Sequence, residues 1–283
     1  MLVDKPEGPT SHDVVARARR LFRTRAVGHT GTLDPFATGL LILVFGGATR
    51  LARWAERHPK SYRAVIRLGR TTDTDDRTGV TLAEVSPAEW PTRKAVESAL
   101  AKLRGAQLQR PPAYSARKVD GERSHRLARR GERPEPAATP VVVLSLELLA
   151  YQPPLVTVEA VVSAGTYIRS LARDLGELLQ VGAHAEALRR IRIGPWSVEQ
   201  AEPLASLSGR EALLPPLILL SGLPEVPVAA EEMPALRVGR EIARPGPTEG
   251  EAALVENGRL VAVGRASPRG WHPAVVLPPY EGA

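Results

Sequence analysis

Apolar residues recur at helical spacing in three separate stretches of the chain. In the first, Val14, Val15, Ala18 and Leu21 lie on one side, while arginines occupy much of the rest. A stripe of this kind is typical of a helix with one face in a core. The pattern predicts helices at residues 11–25, 91–104 and 167–180.

Other stretches have the pattern of strands. Residues 62–68 alternate between apolar and polar side chains, which indicates a strand with one buried face. Residues 39–45 are an unbroken apolar run closed by two glycines. We interpret the run as a buried strand, although its periodicity fits a short buried helix too. With further strands expected at 141–149 and 155–163, these elements predict a mixed α/β domain.

The character of the chain changes after residue 203. Leucine and proline are dense at 203–228, which indicates a packed connector. Beyond it, short apolar runs at 236–238, 252–255 and 260–263 are joined by glycine turns and by Asn257-Gly258, the pattern of a small hairpin-based β module. The predicted domains are residues 1–222 and 223–283. Within the first, residues 109–140 form a basic segment, rich in arginine and proline, which we expect to be irregular and mobile.

The charge of the chain favours a nucleic-acid partner. The 283 residues carry a net charge of +7, and arginine outnumbers lysine, which favours contacts with phosphate. An arginine-rich solvated surface accounts for the same composition, so the placement of the charges must decide. Cysteine is absent and the six histidines lack metal-ligand spacing, which argues against disulfides and a structural zinc. Without an apolar run of membrane-spanning length or a leader pattern, we expect no membrane association and a cytoplasmic location.

The densest candidate for chemistry is the stretch Gly28-His29-Thr30-Gly31-Thr32-Leu33-Asp34-Pro35-Phe36-Ala37-Thr38-Gly39. Its glycines allow a tight turn close to a ligand, and Asp34 stands just before a proline. This position makes Asp34 a candidate catalytic carboxylate. The alternative interpretation is a turn in which Asp34 caps its own backbone.

This stretch resembles the signature of the TruB family of uridine-55 tRNA pseudouridine synthases, a G-H-T-G-x-L-D-P-x-A-T-G-x-L loop that carries the catalytic aspartate. A match of this length is far more specific than a short glycine motif. Further segments along the chain resemble the family and occur in the order expected for it. The resemblance therefore covers residues 3 to 200. They lie at 5–11, 60–62 leading into 68–69, 72–79, 109–118, 165–169 and 188–190.

The resemblance implies a fold and a reaction. The fold is the pseudouridine synthase fold, α/β (α+β), with a long mixed, largely antiparallel sheet and flanking helices, followed by a small PUA-like C-terminal β domain. The reaction breaks the N-glycosidic bond of the uridine, rotates the base and joins C1′ of the sugar to C5. It needs no cofactor and no metal, and the uridine must be flipped out of the T-loop.

The resemblance also implies roles for particular residues. Asp34 acts as nucleophile or general acid–base group, Arg169 pairs with Asp34, Tyr62 stacks on the flipped base, and His29 inserts where the flipped bases stood. An arginine beside a buried carboxylate keeps it ionised, and an aromatic face supports an unstacked base. The remaining candidates for RNA contact are Thr30, Lys5, Tyr167, Leu188, Arg117, Lys118 and Arg129. For Tyr167, a position in the core is the alternative.

Three further features are assigned outside the catalytic set. The acidic run at 73–76 lacks the pattern of a calcium loop, because Arg77 stands at the fifth position, so we expect a structural turn or a loop that positions RNA. Asp174 and Glu177 are one helical turn apart, and we interpret them as the exposed face of a helix. The family commonly has an aromatic residue where this chain has His125, which puts stacking there in doubt.

The predicted partner is tRNA, bound through its T-loop and T-stem, with the basic segment closing over the stem. We expect a monomer with no obligate protein partner. The alternatives are an RNA-binding folding helper whose catalysis is secondary, and a guide-dependent synthase that works inside a ribonucleoprotein. An intact set of Asp34, Tyr62 and Arg169 favours the enzyme, and the lack of a lysine-rich tail or partner-docking extension favours one that acts alone.

Overall fold

The fold is taken from a computed structural model that describes residues 1–115, 117–132, 134–244 and 249–279, with the backbone alone at 125 and 129. These residues form a ten-stranded mixed sheet, a five-stranded sheet and two small two-stranded sheets. The strands in chain order are β1 (Leu2–Lys5), β2 (Val27–His29), β3 (Thr38–Phe45), β4 (Lys60–Leu68), β5 (Arg70–Thr72), β6 (Thr81–Glu84), β7 (Gly105–Gln109), β8 (Lys118–Val119), β9 (Glu122–Arg123), β10 (Thr139–Gln152), β11 (Leu155–Val162), β12 (Ala183–Ile193), β13 (Trp196–Ser197), β14 (Glu202–Pro203), β15 (Glu225–Pro227), β16 (Ile242–Ala243), β17 (Glu251–Glu256), β18 (Arg259–Ser267) and β19 (Gly270–Val276).

The helices are short. In chain order they are α1 (Ser11–Leu21), α2 (Ala52–Arg57), α3 (Arg93–Lys102), α4 (Ser124–Arg129), α5 (Ile168–Leu178) and α6 (Met233–Arg237), with short 3₁₀ helices at Gly46–Leu51, Val198–Gln200, Leu204–Ser206, Pro216–Leu220 and Ala230–Glu232. Across the described ranges, no helix has the length and apolar character needed to cross a membrane.

The large sheet has the strand order β14-β1-β3-β12-β4-β11-β10-β7, with β2 beside β3 and β13 beside β12. Two pairings, β1 with β14 and β3 with β12, are parallel, and the others are antiparallel. This arrangement confirms the expected long mixed, largely antiparallel sheet with flanking helices.

The apolar run at 39–45 is strand β3, and its lack of alternation has a physical reason. Leu41 and Leu43 face α1, whereas Leu40, Ile42 and Val44 face α2 and the C-terminal β domain. Because both faces of β3 are covered, every side chain along it can be apolar. The strand interpretation is confirmed, and the short buried helix is excluded.

The three predicted helices are confirmed with shorter ends. Helix α1 begins with a capping box, in which Thr10 Oγ1 accepts from the Asp13 amide and the Asp13 carboxylate accepts from the Thr10 amide. It ends at Leu21, earlier than predicted, because the chain turns at Arg23 with a positive φ of 51°. Helices α3 and α5 pack their apolar stripes against β4, β10 and β11 in one core.

Strand β12 was not predicted, although it lies at the centre of the sheet between β3 and β4. Its charged residues hide the strand pattern, because Arg190 points into the interior with 1% of its surface exposed. The close pairing of β12 with β3 depends on Gly39, whose φ is 105°. A Cβ at this position would lie 2.8 Å from the Arg190 amide nitrogen and closer still to its carbonyl oxygen, so only glycine fits.

Two predicted segments are corrected by the structure. The basic segment was expected to be irregular, yet its described residues include the β8–β9 hairpin and α4, tied together where the Ser124 amide donates to the Arg117 carbonyl (2.7 Å). Residues 236–238 were expected in a strand, but Leu236 belongs to α6. Its side chain is fully buried beside Met233, three positions earlier, and a run of three residues is too short for alternation to indicate a strand.

The C-terminal β domain has the strand order β15-β17-β18-β19-β16 and is docked on the large sheet. One of its faces shares a core with β3 and α2, and the other covers α6. At the edge of the shared core, Glu251 accepts hydrogen bonds from Trp54 Nε1 (2.9 Å) and Arg57 (3.0 Å). The turn at Asn257 and Gly258, with φ of 50° and 74°, confirms the predicted hairpin.

Candidate active site

Asp34 and Arg169 meet in space although 135 positions separate them in the chain. Arg169 lies on the first turn of α5, and its Nε is 3.0 Å from Asp34 Oδ2, while its Nη2 donates to Asp34 Oδ1 at 3.1 Å. A contact at both carboxylate oxygens fixes the orientation of the carboxylate as well as compensating its charge. The structure therefore brings these two predicted catalytic residues into direct contact.

The guanidinium of Arg169 is held from three further sides. Nη1 donates to the Thr74 carbonyl (2.7 Å) and lies 3.3 Å from an Asp76 carboxylate oxygen, and Nη2 donates to the Tyr114 carbonyl (3.0 Å). The Arg169 side chain is only 4% exposed. A buried cation requires such acceptors because it has lost its water. Arg169 thus joins the Asp34 loop to the turn after β5 and to the start of the basic segment.

Asp76 is a second carboxylate of the site, and it is buried. One oxygen accepts from the Thr78 amide (3.0 Å), the Thr78 hydroxyl (2.6 Å) and the Thr74 hydroxyl (2.9 Å), and the other faces Arg169. The acidic run at 73–76 is therefore paired with hydroxyls and arginines and forms a structured turn. Asp76 was not predicted as a site residue, because an aspartate in an acidic turn is usually solvated.

The electrostatics of Asp34 are a balance of opposing effects. Burial raises the pKa of Asp34, the Arg169 guanidinium opposes this rise, and the Asp76 carboxylate adds to it. The Asp34 side chain nevertheless keeps 32% of its surface accessible. A desolvated, oriented carboxylate with an accessible face has the properties of a reactive group.

Arg190 supports the loop that carries Asp34 through hydrogen bonds to backbone carbonyls. Its Nε donates to the Leu40 carbonyl (2.8 Å), and its Nη2 and Nη1 donate to the carbonyls of Gly31 (3.1 Å) and Thr32 (3.4 Å). Arg190 thereby ties the loop to β3 and β12. Sequence reasoning found the 188–190 segment only through resemblance, and nothing in the pattern of β12 marked this arginine as buried.

Lys5 lies beneath the same loop. Its Nζ donates to the carbonyls of Pro6 and Pro9, both at 2.8 Å, and of Pro35 at 3.4 Å, and its side chain is fully buried. Burial lowers the pKa of Lys5 to about 8, partly offset by the nearby Asp34. The ammonium group of Lys5 thus contacts protein carbonyls next to the Asp34 loop. A contact of Lys5 with RNA stays a prediction.

Tyr62 lies on β4 in the core region that flanks Asp34. It is 8% exposed and belongs to the same apolar cluster as Leu33, Phe36 and Leu188. Leu188, predicted as an RNA contact, is 7% exposed at this same place. Thr30 is fully buried, and its hydroxyl has no hydrogen-bond partner among the described residues.

His29 stands at the end of β2, one residue before the loop turns away from the sheet. It is half-buried, and burial together with the positive charge of Arg190 lowers the pKa of His29, which keeps the ring neutral. Tyr167 caps α5 and is half-buried. Its backbone amide and carbonyl bond the side-chain amide of Gln109 (2.8 and 3.0 Å), so Tyr167 also joins α5 to the basic segment.

Arg117 and Lys118 are exposed at the start of the β8–β9 hairpin. The Arg117 guanidinium lies against Gly165, where an added Cβ would be 3.4 Å from it. The basic segment therefore lies beside the turn that leads into α5 and Arg169. The Arg129 side chain, also predicted to contact RNA, falls outside the described residues.

Two solved complexes contain chains with the same fold. The structure of an H/ACA ribonucleoprotein bound to a substrate RNA containing 2′-deoxyuridine contains a chain with a TM-score of 0.75, 24% identity and coverage of 99% of this chain and 84% of that one. A Cbf5-Nop10-Gar1 complex contains a chain with a TM-score of 0.74, 27% identity and coverage of 98% and 82%. At 24% identity, the first match shows the fold alone. Both matches include the C-terminal β domain.

Comparison of sequences gives the same result at higher identity. The family described as TruB family pseudouridylate synthase (N terminal domain) matches residues 19–168, more than half of the chain, and the tRNA pseudouridylate synthase B C-terminal domain matches residues 169–214. Proteins named tRNA pseudouridine synthase B share 44% identity in Mycobacterium bovis, over 93% of this chain and 90% of that protein, and 42% in Solibacter usitatus, over 98% and 99%.

The fold, with its arginine-bound carboxylate in the loop between β2 and β3, and the family match together identify a pseudouridylate synthase, an isomerase that acts on uridine in RNA. The likeness extends along nearly the whole chain and includes the loop of Asp34. The chain belongs to the TruB family of pseudouridylate synthases.

Proposed function

We propose that the protein converts uridine 55 in the T-loop of tRNA to pseudouridine, with Asp34 as the catalytic carboxylate. The observation that carries the proposal is the two-point contact between Asp34 and Arg169, which leaves one face of the carboxylate accessible. The relatives that cover nearly the whole chain are named tRNA pseudouridine synthase B, which supports tRNA as the substrate.

The reaction rearranges bonds within one nucleotide. The bond between N1 and C1′ breaks, a bond between C5 and C1′ forms, C5 loses a proton and N1 gains one, so the atoms balance without an external reagent. Asp34 acts on the flipped nucleotide as nucleophile or general acid–base group, and Arg169 orients it and favours its ionised form by opposing the rise of its pKa on burial. Tyr62, on the strand that flanks the loop, supports the face of the flipped base.

Access to the uridine requires opening of the T-loop, which costs a few kcal/mol of unstacking. We assign the compensating contact to His29, whose half-buried ring is neutral and has an Nδ1 atom without a hydrogen-bond partner among the described residues. A neutral, flat ring can occupy a gap between bases more readily than a charged, hydrated one. Thr30 and Leu188, buried next to this region, shape the wall against which the nucleotide lies.

The T-stem would be bound by the basic segment, with Arg117, Lys118 and Arg129 as phosphate contacts. We assign residues 1–222 to catalysis and residues 223–283 to a PUA-like RNA-binding domain. We also propose that the protein acts as a monomer in the cytoplasm, without an obligate protein partner. The solved structures with this fold include complexes with Nop10 and Gar1, so dependence on a guide and partner proteins is the alternative to be tested.

The test is to incubate the purified protein alone with unmodified tRNA and to map pseudouridine by position. We expect modification at uridine 55 with the wild-type protein and none with Asp34→Asn, which keeps the shape of the side chain but not its charge. Activity that appears only with added guide RNA would establish the guide-dependent alternative. Unchanged pseudouridine formation by Asp34→Asn would refute the catalytic role, and modification outside the T-loop would refute the position.

Binding of tRNA by Asp34→Asn separates the enzyme from the folding helper. If the variant binds tRNA with wild-type affinity and still promotes its folding, the second role coexists with catalysis. If neither the wild type nor the variant promotes folding although both bind, the protein acts as an enzyme alone.

A further inference from the structure

A second arginine, Arg173, lies one helical turn after Arg169 on α5. Its Nη1 is 3.0 Å from Asp75 Oδ2, and its Nη2 donates to the Arg110 carbonyl at 3.0 Å. The same guanidinium also contacts its chain neighbour Asp174. Arg173 therefore joins α5 to the turn after β5 and to the start of the basic segment, the same two regions that Arg169 joins to the catalytic loop.

Asp75 has a backbone conformation that requires support. Its φ is 59°, in the left-handed region that residues with a Cβ rarely adopt. Its carbonyl accepts from the Ala185 amide (3.0 Å) on β12, and its amide donates to the Thr72 carbonyl (3.3 Å). The Asp75 carboxylate is 15% exposed, and Arg173 is its ion-pair partner. The side-chain pair and two backbone bonds hold this residue in its unusual conformation.

Residues 74–76 contact Arg169 and Arg173 in alternation. Thr74 and Asp76 provide a carbonyl and a carboxylate to Arg169, and Asp75 between them provides its carboxylate to Arg173. Any shift of Asp75 must move both of its neighbours, because they share its peptide bonds. The direction in which Arg169 is presented to Asp34 thus depends on where Arg173 holds Asp75.

We propose that Arg173 is a positioning residue for the reaction, acting through Asp75 to hold Arg169 against the catalytic carboxylate. The inference rests on the proposed function, since it requires Asp34 to be the reacting group. It also gives the basic segment a link to the site, because Arg110 shares its carbonyl between Arg173 and the Ser170 hydroxyl (2.8 Å).

The competing explanation is a surface ion pair that only stabilises α5. Arg173 lies 3.8 Å from Glu177, which is 69% exposed and one helical turn away. Exposed pairs of this kind contribute little to stability. Glu177→Gln is therefore a matched control, because it removes a carboxylate from the same guanidinium while leaving Asp75 in place.

The experiment measures kcat, KM and the pH dependence of pseudouridine formation on tRNA for Arg173→Met, Arg173→Lys, Asp75→Asn, the double variant Arg173→Met/Asp75→Asn and Glu177→Gln. Wild type and Asp34→Asn are measured first. If wild type forms no pseudouridine, or Asp34→Asn remains active, the proposed function has failed. If both behave as expected, the other variants test Arg173.

We expect Arg173→Met to lower kcat roughly tenfold to a hundredfold, the effect of a small misplacement at a reacting group, with KM changed less than about twofold. The acid limb of its pH profile should move to higher pH. The groups that face Asp34 are Arg169, Asp76 and Lys5, and a less well held Arg169 opposes the raised pKa of Asp34 less effectively. Arg173→Lys should recover part of the rate, and Glu177→Gln should match wild type.

Asp75→Asn should lower kcat to a similar extent, and the double variant should be no worse than either single variant, because both changes break one pair. A normal kcat and an unmoved acid limb in both single variants, with only a lower melting temperature, would overturn the proposal. An equal loss in Glu177→Gln would overturn it as well. If Arg173→Met does not fold, Arg173→Lys and Asp75→Asn decide by the same criteria.

Discussion

Replacing Arg169 by methionine tests the electrostatics of the site directly. Methionine occupies a similar length of space, but it removes the charge and every donor. The change leaves Asp34 and Asp76 facing each other without the cation between them, and two backbone carbonyls, of Thr74 and Tyr114, lose their donor. Breaking a buried ion pair by removing one partner costs about 3 to 5 kcal/mol, so the melting temperature should fall substantially.

The catalytic effect follows from the pKa of Asp34. In the wild type, burial raises this pKa and Arg169 opposes the rise, while Asp76 adds to it. An adjacent cation lowers the pKa of a carboxyl group by about 1 to 3 units, so its removal should raise the pKa of Asp34 by about that amount. Each unit above the assay pH reduces the ionised fraction about tenfold, and the rate should fall in proportion.

The assay is single-turnover pseudouridine formation at saturating tRNA over a range of pH. For Arg169→Met, we expect an acid limb displaced by about 1 to 3 units to higher pH, and partial recovery of the rate in alkaline buffer. Arg93→Met is the control, because Arg93 forms an exposed ion pair with Glu97 on α3, away from the site. A variant that is slower at every pH with an unmoved acid limb would show that Arg169 does not act through the ionisation of Asp34.

Three further predictions follow from the structure. His29→Ala should slow modification of folded tRNA more than of a short open oligonucleotide, because only the folded T-loop needs a wedge; equal losses on both would exclude that role. Gly39→Ala should lower the yield of folded protein or its melting temperature by well over ten degrees, since a Cβ there overlaps the Arg190 backbone, and an unchanged melting curve would contradict this close approach. Burial lowers the pKa of Lys5 and of Lys60 from 10.5 to about 8, so between these pH values the unfolded chain binds more protons than the folded protein. The free energy of unfolding, measured in urea, should therefore rise over this range by up to about 1.4 kcal/mol per pH unit for each lysine. Lys60→Met should reduce the slope.

Local patterns predicted much of the fold. The apolar stripes of α1, α3 and α5 and the alternation along β4 were sufficient, because each reflects one buried face. The hairpin at Asn257 and Gly258 was equally clear from its turn residues. Strand β12 and helix α6 were not predicted correctly. In β12 a buried arginine interrupts the pattern, and α6 has only five residues.

The proposed site likewise contains residues that the sequence predicted and contacts that only the structure shows. Asp34, Tyr62, His29 and Arg169 were predicted as site residues because a long motif and its companion segments resemble a family, and the resemblance requires no knowledge of distances. The contribution of Asp76 was not visible, because an aspartate in an acidic turn has no local signal that it is buried. The predicted RNA contact of Lys5 stays a prediction, and the sequence did not show that its ammonium group faces three carbonyls.

The sequence by itself determined the family, the elements with one buried face, and the carboxylate that we propose as catalytic, Asp34. These follow from local chemistry, in which turn residues and side-chain spacing act over a few positions. The tertiary structure decided which charges share a buried space: Arg169 with both Asp34 and Asp76, Arg173 with Asp75, and Arg190 beneath the loop. A buried arginine is tolerated only where acceptors from distant segments contact it. Those contacts exist only in the folded chain.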